Sequence, residues 1–218
     1  MPQKVLLPST EPTPGATWIP PGPIPKALRD FGKFPNLDQW RPADLLLVAS
    51  ITPDAAVRQI VNAQARGGYA PEDARWQHAA VYIGEGYVVE ATLRGVRYAP
   101  IYPYLGAHCL RLRRPLHLSE DDRWKIAIQA SVRSNERYAM QTILRLLRLS
   151  FEGYWTRQRG FPIAHAKSAI CSQLYADAYS RVTGRLVTPP VAGIPTPAAL
   201  SASSAFEDVD LTWAIIPH

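Results

Sequence analysis

The sequence predicts an α+β fold in which a small antiparallel sheet packs against helices. Residues 76–101 are rich in Val, Ile and Tyr and are punctuated by glycines, which is typical of strands joined by tight turns, and residues 108–115 are predicted to add a further strand. Elsewhere, apolar residues recur at the spacing of a helix, most regularly over residues 171–184. Strands and helices therefore occupy separate stretches of the chain.

The length of 218 residues allows one well-filled domain but not two full-sized ones. Apolar residues make up 47% of the chain and charged residues 19%, so a disordered class is excluded. Residues 1–35 are predicted to be a proline-rich N-terminal arm, because closely spaced prolines remove backbone donors and favour extended structure. Residues 36–218 are predicted to be the folded domain.

The net charge of +6 favours anionic partners, although a merely basic surface explains it equally well. The two cysteines, Cys109 and Cys171, lack the spacing of a disulfide framework or a zinc ribbon, which favours a reducing compartment. No secretory signal and no bilayer-length apolar run is present in the sequence. A cytoplasmic location is therefore predicted.

The elements follow in order along the chain. The apolar run at residues 45–48 predicts a buried strand, and the next segment predicts a helix with Pro53 in its first turn. Three or four antiparallel strands should follow. Ser119, before three acidic residues, predicts the capped start of a helix that runs through Trp124, Ala127, Ile128 and Ser131. A further helix is predicted over residues 140–155.

Cys171 opens the last long helix, which Gly184 ends. In a first helical turn, unpaired N–H groups and the helix dipole stabilise a thiolate, so Cys171 is a candidate nucleophile. A free cysteine is also among the most often buried residues, and position alone favours that structural role. Cys109 lies inside a predicted strand and is assigned the structural role.

A nucleophilic cysteine needs a base, and the base needs a third group to orient it. Of the five histidines, His78 stands out because it opens the strand HAAVYIG. If a three-residue loop pairs Ile83 with Tyr87, Ala80 lies opposite Glu90, and His78 and Glu90 become diagonal neighbours about 7–8 Å apart on one face. A two-residue loop would instead send Glu90 to the other face. The prediction that Glu90 orients His78 therefore depends on this loop.

The segments HAAVYIGEGYVVEAT, LRLRRP and CSQLYADAY, in this order, resemble the circularly permuted NlpC-type papain-like peptidases, whose relatives include lecithin retinol acyltransferase-like enzymes. The resemblance covers residues 44–209 and implies a permuted papain-like fold. It also implies Cys171 as nucleophile, His78 as general base and then acid, and Glu90 as the orienting group. An active-site tyrosine precedes the cysteine in that family; Tyr138 matches it best, with Tyr154 as a rival.

The resemblance implies a cysteine peptidase or amidase that cleaves an amide bond, for example in a cell-wall-type peptide, through a thioester acyl-enzyme. The alternative that the resemblance implies is lipid acyl transfer or phospholipase-like cleavage, because relatives of the family act on lipid acyl groups. Residues 140–161 bear on this choice, since they alternate apolar residues with arginines, as in a basic amphipathic lid. Such a helix more often just covers the core.

A non-enzymatic module that binds an anionic partner is the competing class. The predicted partner is a peptide or lipid substrate, with an anionic membrane surface as a second candidate. Nucleic acid is the least supported partner, because no stacking or base-reading motif is present. No metal-ligand cluster or phosphate-binding glycine loop occurs in the sequence, so no cofactor is expected. The oligomeric state stays open.

Overall fold

The computed structural model describes residues 26–92, 95–133, 171–188 and 195–216. Its strands are β1 Lys33–Pro35, β2 Leu45–Ser50, β3 His78–Gly84, β4 Tyr87–Thr92, β5 Gly95–Pro100, β6 His108–Pro115, β7 Phe206–Val209 and β8 Trp213–Ile215. β2 to β7 form a six-stranded antiparallel sheet in the order β5-β4-β3-β2-β6-β7, and β1 pairs with β8. The predicted α+β class and its antiparallel sheet are confirmed.

The described helices are α1 Lys26–Phe31, α2 Ala55–Arg66, α3 Pro71–Ala74, α4 Glu120–Ser131, α5 Cys171–Thr183 and α6 Pro197–Ala202. Ser119 caps α4 as predicted, by accepting a hydrogen bond from the Asp122 N–H. In α2 the cap is Asp54, so Pro53 lies before the helix and its predicted place in the first turn is wrong. None of the described helices is both long and apolar enough to cross a membrane.

The sheet is covered on both faces. On one face, α4 and α5 bury a core that contains Leu47, Val81, Leu174 and Tyr175. On the other face, a second core joins the sheet to α1 and to the β1–β8 pair. Because the strands are buried on both sides, the continuous apolar run of β2 is expected.

Residues 26–35 lie within the segment assigned to the arm, and in the structure they form α1 and β1. Leu28 and Phe34 are buried in the second core, and Phe34 pairs with Ala214. These residues therefore help to cover the second face of the sheet. The proline-rich residues 1–25 lie outside the described residues, as does the helix predicted over residues 140–155.

α4 forms where predicted, but its buried face is different. Trp124 and Ile128 are exposed, whereas Arg123 is buried. The Arg123 guanidinium donates to the Pro115 carbonyl and faces the buried Asp44, which compensates for its desolvation. The helix was therefore predicted correctly, but the face of α4 that packs on the sheet was not.

The hairpin of β3 and β4 has a two-residue turn, Glu85 and Gly86, between the paired residues Gly84 and Tyr87. The predicted three-residue loop is wrong. A bulge at Ile83 nevertheless inserts one extra residue into β3, so that Ala80 lies opposite Glu90 as predicted. The bulge thus cancels the register shift that the shorter turn would cause.

Buried arginines attach α6 and β7 to β6. Arg111 is 1% exposed and donates to both carboxylate oxygens of Asp208, at 2.7 and 2.9 Å, and to the Ser201 hydroxyl at 2.6 Å. Arg113 donates to backbone carbonyls on either side of the α6–β7 connection, including those of Ser203 and Phe206. These bonds satisfy most of the donors of the two buried guanidinium groups and hold α6 and β7 against β6.

Candidate active site

Cys171 is the first residue of α5 and is 5% exposed. Its side chain hydrogen-bonds to His78, and the backbone N–H groups of Ala79 and Ser172 also interact with it. Burial alone would raise the pKa of the thiol, but the hydrogen bond and positive charge of His78, aided by the two amides, hold it below its usual range. The site therefore favours a thiolate.

His78 is the first residue of β3, at the end of the sheet where α5 begins. Its Nε2 lies 2.7 Å from Oε2 of Glu90. Burial alone would lower the pKa of the imidazole, but hydrogen bonds and negative charge from Cys171 and Glu90 raise it to about 10. Because Nε2 is occupied by the carboxylate, Nδ1 is the nitrogen left to serve the thiol.

Glu90 lies in β4 and its side chain is completely buried. Its Oε1 accepts a hydrogen bond from Nε of Arg97 at 3.0 Å, with Nη2 of the same guanidinium 2.9 Å away in an ion pair, and its Oε2 accepts one from the Tyr104 hydroxyl in addition to His78. Burial alone would raise the pKa of this carboxyl, but these donors, with His78 first, lower it to about 2. Glu90 is therefore an ionised acceptor throughout the physiological range.

Arg97 and Tyr104 are members of the cluster that sequence reasoning missed. Arg97 lies directly opposite Glu90 in the pairing of β4 with β5, so a register prediction for that hairpin would have found it. Tyr104 lies in a short 3-10 turn between β5 and β6, where no sequence period applies. Nothing in the local pattern pointed to it.

The structure brings Cys171, His78 and Glu90 together, whereas Tyr138 and its rival Tyr154 lie outside the described residues. Cys109 is buried in the core of the α4–α5 face, where the Arg75 guanidinium lies 3.5 Å from its sulfur. Burial raises the pKa of that thiol. The pKa values of the two thiols are thus shifted in opposite directions, although each lies beside a positive group.

Among known proteins, no family model matches this chain, and no curated protein matches it. A solved structure does: metalloprotein yiiX from Escherichia coli O157:H7, a DUF1105 protein, with a TM-score of 0.53 and 14% sequence identity. The match covers 79% of this chain and 97% of that one. At this identity the similarity concerns the fold alone.

Proposed function

We propose that this protein is a cysteine-dependent hydrolase that cleaves amide bonds through a thioester acyl-enzyme. One observation carries the proposal. A thiol at a helix start shares a hydrogen bond with an imidazole whose second nitrogen is held by a buried, ionised carboxylate. Nucleophile, base and orienting group are the three parts that covalent catalysis by cysteine requires.

The chemistry begins with the thiolate of Cys171 and the imidazolium of His78. The sulfur attacks the carbonyl carbon, a C–S bond forms, and the C–N bond breaks as Nδ1 of His78 donates its proton to the leaving nitrogen. Water then attacks the thioester while His78 takes its proton. The C–S bond breaks, the acid product leaves, and the thiolate is restored.

Glu90 keeps Nε2 protonated throughout these steps, because an ionised carboxylate can only accept hydrogen bonds. The Cys171 backbone N–H at the start of α5 is the proposed donor to the oxyanion. A donor of this kind is typically worth about 3 kcal/mol in the transition state.

The permuted papain-like fold and the NlpC-type relationship belong to the same proposal. Their support is the order of the site residues, with His78 on a strand well before Cys171 at a helix start, and the antiparallel sheet against which that helix packs. The structural neighbour contributes similarity of fold only.

That neighbour is described as a metalloprotein. Within residues 26–92, 95–133, 171–188 and 195–216, no group of three His, Cys, Asp or Glu side chains could hold a metal ion. The donor set of the described residues therefore does not fit a metal site, and no step of the proposed mechanism passes through one.

A peptide amide is the proposed substrate. The sequence segment that favoured the alternative, a lipid ester, is residues 140–161, which lie outside the described residues. An anion-binding module without catalysis would need neither the polarised thiol nor the buried carboxylate. The cytoplasmic location predicted from the sequence stays a prediction.

The test is to trap the acyl-enzyme. The protein is incubated with p-nitrophenyl acetate, quenched in acid and digested, and the acetyl group is located by peptide mass spectrometry. We expect the adduct on Cys171 in the wild type and in Cys109→Ala, and none at that position in Cys171→Ala. N-acyl dipeptide amides and phospholipid vesicles, offered in parallel, then separate amidase from lipid activity.

Acetylation of both cysteines to the same extent, or of neither, would contradict the proposal. Hydrolysis of the vesicle phospholipids but not of the dipeptide amides would leave Cys171 as the proposed nucleophile and change the proposed substrate from a peptide amide to a lipid ester.

A further inference from the structure

We propose that Tyr104 is a positioning residue of this site, which holds the Glu90 carboxylate in the orientation that accepts the Nε2–H of His78. The inference rests on the proposed function, because it concerns the same thiol and imidazole. It adds a role for a side chain that the sequence did not indicate.

The hydroxyl of Tyr104 donates to Oε2 of Glu90, which is also the oxygen that accepts from His78. Arg97 holds only the other oxygen, Oε1. Arg97 alone therefore leaves the carboxylate free to pivot about Oε1, and Tyr104 removes that freedom. Oε2 is thus held by two hydrogen-bond partners, whereas Oε1 is held by the Arg97 guanidinium alone.

The ring of Tyr104 acts on His78 directly. The two rings pack with centroids 6.0 Å apart and planes tilted by 37°. On another side, the Tyr104 ring makes an edge contact with His108 of β6, at 5.6 Å and 83°. The tyrosine is thus fixed between two histidines, and its ring restricts rotation of the imidazole.

The backbone of the turn holds Tyr104 against the same hairpin that carries the site. Its N–H donates to the Ile101 carbonyl, and the Ile101 N–H donates to the carbonyl of Gly86 in the turn between β3 and β4. Tyr104 is therefore anchored to the hairpin that places His78 and Glu90.

Tyr104 can act as a donor over the whole range of assay pH. Burial raises the pKa of its hydroxyl, and the negative charge of Glu90 raises it further. Among the described residues, the titratable groups around Glu90 are His78 on β3, Arg97 on β5 and Tyr104 itself, with Cys171 of α5 beyond His78 and His108 of β6 beside the Tyr104 ring.

Tyr104→Phe removes the hydroxyl and keeps the ring. The carboxylate then turns towards Arg97, its bond to His78 weakens, and the imidazolium stabilises the thiolate less. The acid limb of Cys171 alkylation should therefore move to higher pH by about half a unit to one unit, and alkylation at pH 6 should slow by about three- to tenfold.

The experiment measures the rate of iodoacetamide alkylation at Cys171 from pH 4 to 9, by peptide mass spectrometry, in wild type, Tyr104→Phe and Tyr102→Phe. Tyr102 belongs to the same turn and packs on Phe34 instead, so it is the matched control. The buried Cys109 reports on folding, because a loosened protein alkylates there as well. In a Glu90→Ala background, Tyr104→Phe should cause no further shift.

The inference is overturned if the acid limb of Cys171 alkylation in Tyr104→Phe stays at the wild-type pH or moves to lower pH. A shift accompanied by alkylation of Cys109 means that the Tyr104→Phe variant has lost its fold. The comparison in the Glu90→Ala background is then used instead, and a further shift caused by Tyr104→Phe in that background also overturns the inference. If wild-type Cys171 shows no activation at all, the proposed function fails first, so the two failures are distinguishable.

Discussion

His78 and Glu90 lie on neighbouring strands, with Nε2 of the imidazole 2.7 Å from Oε2 of the carboxylate. The carboxylate is completely buried and the imidazole is largely so, with 18% of its side chain exposed. A buried charge without a partner is strongly destabilising, so each group depends on the other. This pair links the chemistry of the site to the stability of the fold.

Glu90→Gln should make the free energy of unfolding less sensitive to low pH. The pKa of Glu90 is lowered from 4.5 to about 2 in the folded protein. Its ionised form therefore stabilises the fold fully above pH 4.5, and this contribution is lost as the pH falls towards 2. In urea unfolding from pH 7 to 3, the advantage of wild type over Glu90→Gln should shrink below pH 4.5. An advantage that stays constant to pH 3 would argue against an ionised Glu90.

Arg111→Ala should lower the free energy of unfolding by about 3 kcal/mol, because it removes a buried guanidinium that pairs with Asp208 and with the buried Asp73 and donates to the buried Ser201 hydroxyl. Lys125→Ala is the control: Lys125 pairs with Asp121 on the surface, where solvent screens such pairs and they contribute little to stability. Urea denaturation measures both. Equal effects of the two substitutions would show that the Arg111 network does not hold α6 and β7 in place.

Gly86→Ala should destabilise the β3–β4 hairpin by about 1–2 kcal/mol. Gly86 has a φ of 75°, and an added Cβ would lie 3.3 Å from Cδ1 of Leu37. Gly32 has a similar φ of 72° with open space around it, so Gly32→Ala isolates the backbone strain. In thermal unfolding, a larger decrease in Tm for Gly32→Ala than for Gly86→Ala would contradict the prediction, because only Gly86→Ala adds the contact with Leu37 to the backbone strain.

The sequence indicated Cys171 and His78 as candidates because each opens a regular element, whose period can be counted, whereas their catalytic roles were implied by the resemblance to NlpC-type peptidases. It also predicted that Ala80 lies opposite Glu90, but through the wrong loop. A two-residue turn with a bulge at Ile83 gives the same register as a three-residue turn without one, and the sequence does not separate these two local geometries.

Contacts between distant segments could not be predicted. Arg123 is buried because it faces Asp44, and Phe34 belongs to the domain because β1 pairs with β8. Tyr104 reaches Glu90 from an irregular turn. In each case the partner is set by how the elements pack, which neither periodicity nor residue propensity encodes.

The most direct test of the thiolate–imidazolium pair is the pH dependence of iodoacetamide alkylation at Cys171 in wild type and His78→Ala, with Cys109 resolved in the same digests. We expect wild-type Cys171 to react well below pH 7, Cys109 to stay unreactive, and His78→Ala to move the reactivity of Cys171 towards that of an ordinary thiol, near pH 8.5. A Cys171 that is inert, or that titrates identically with and without His78, would contradict the catalytic interpretation.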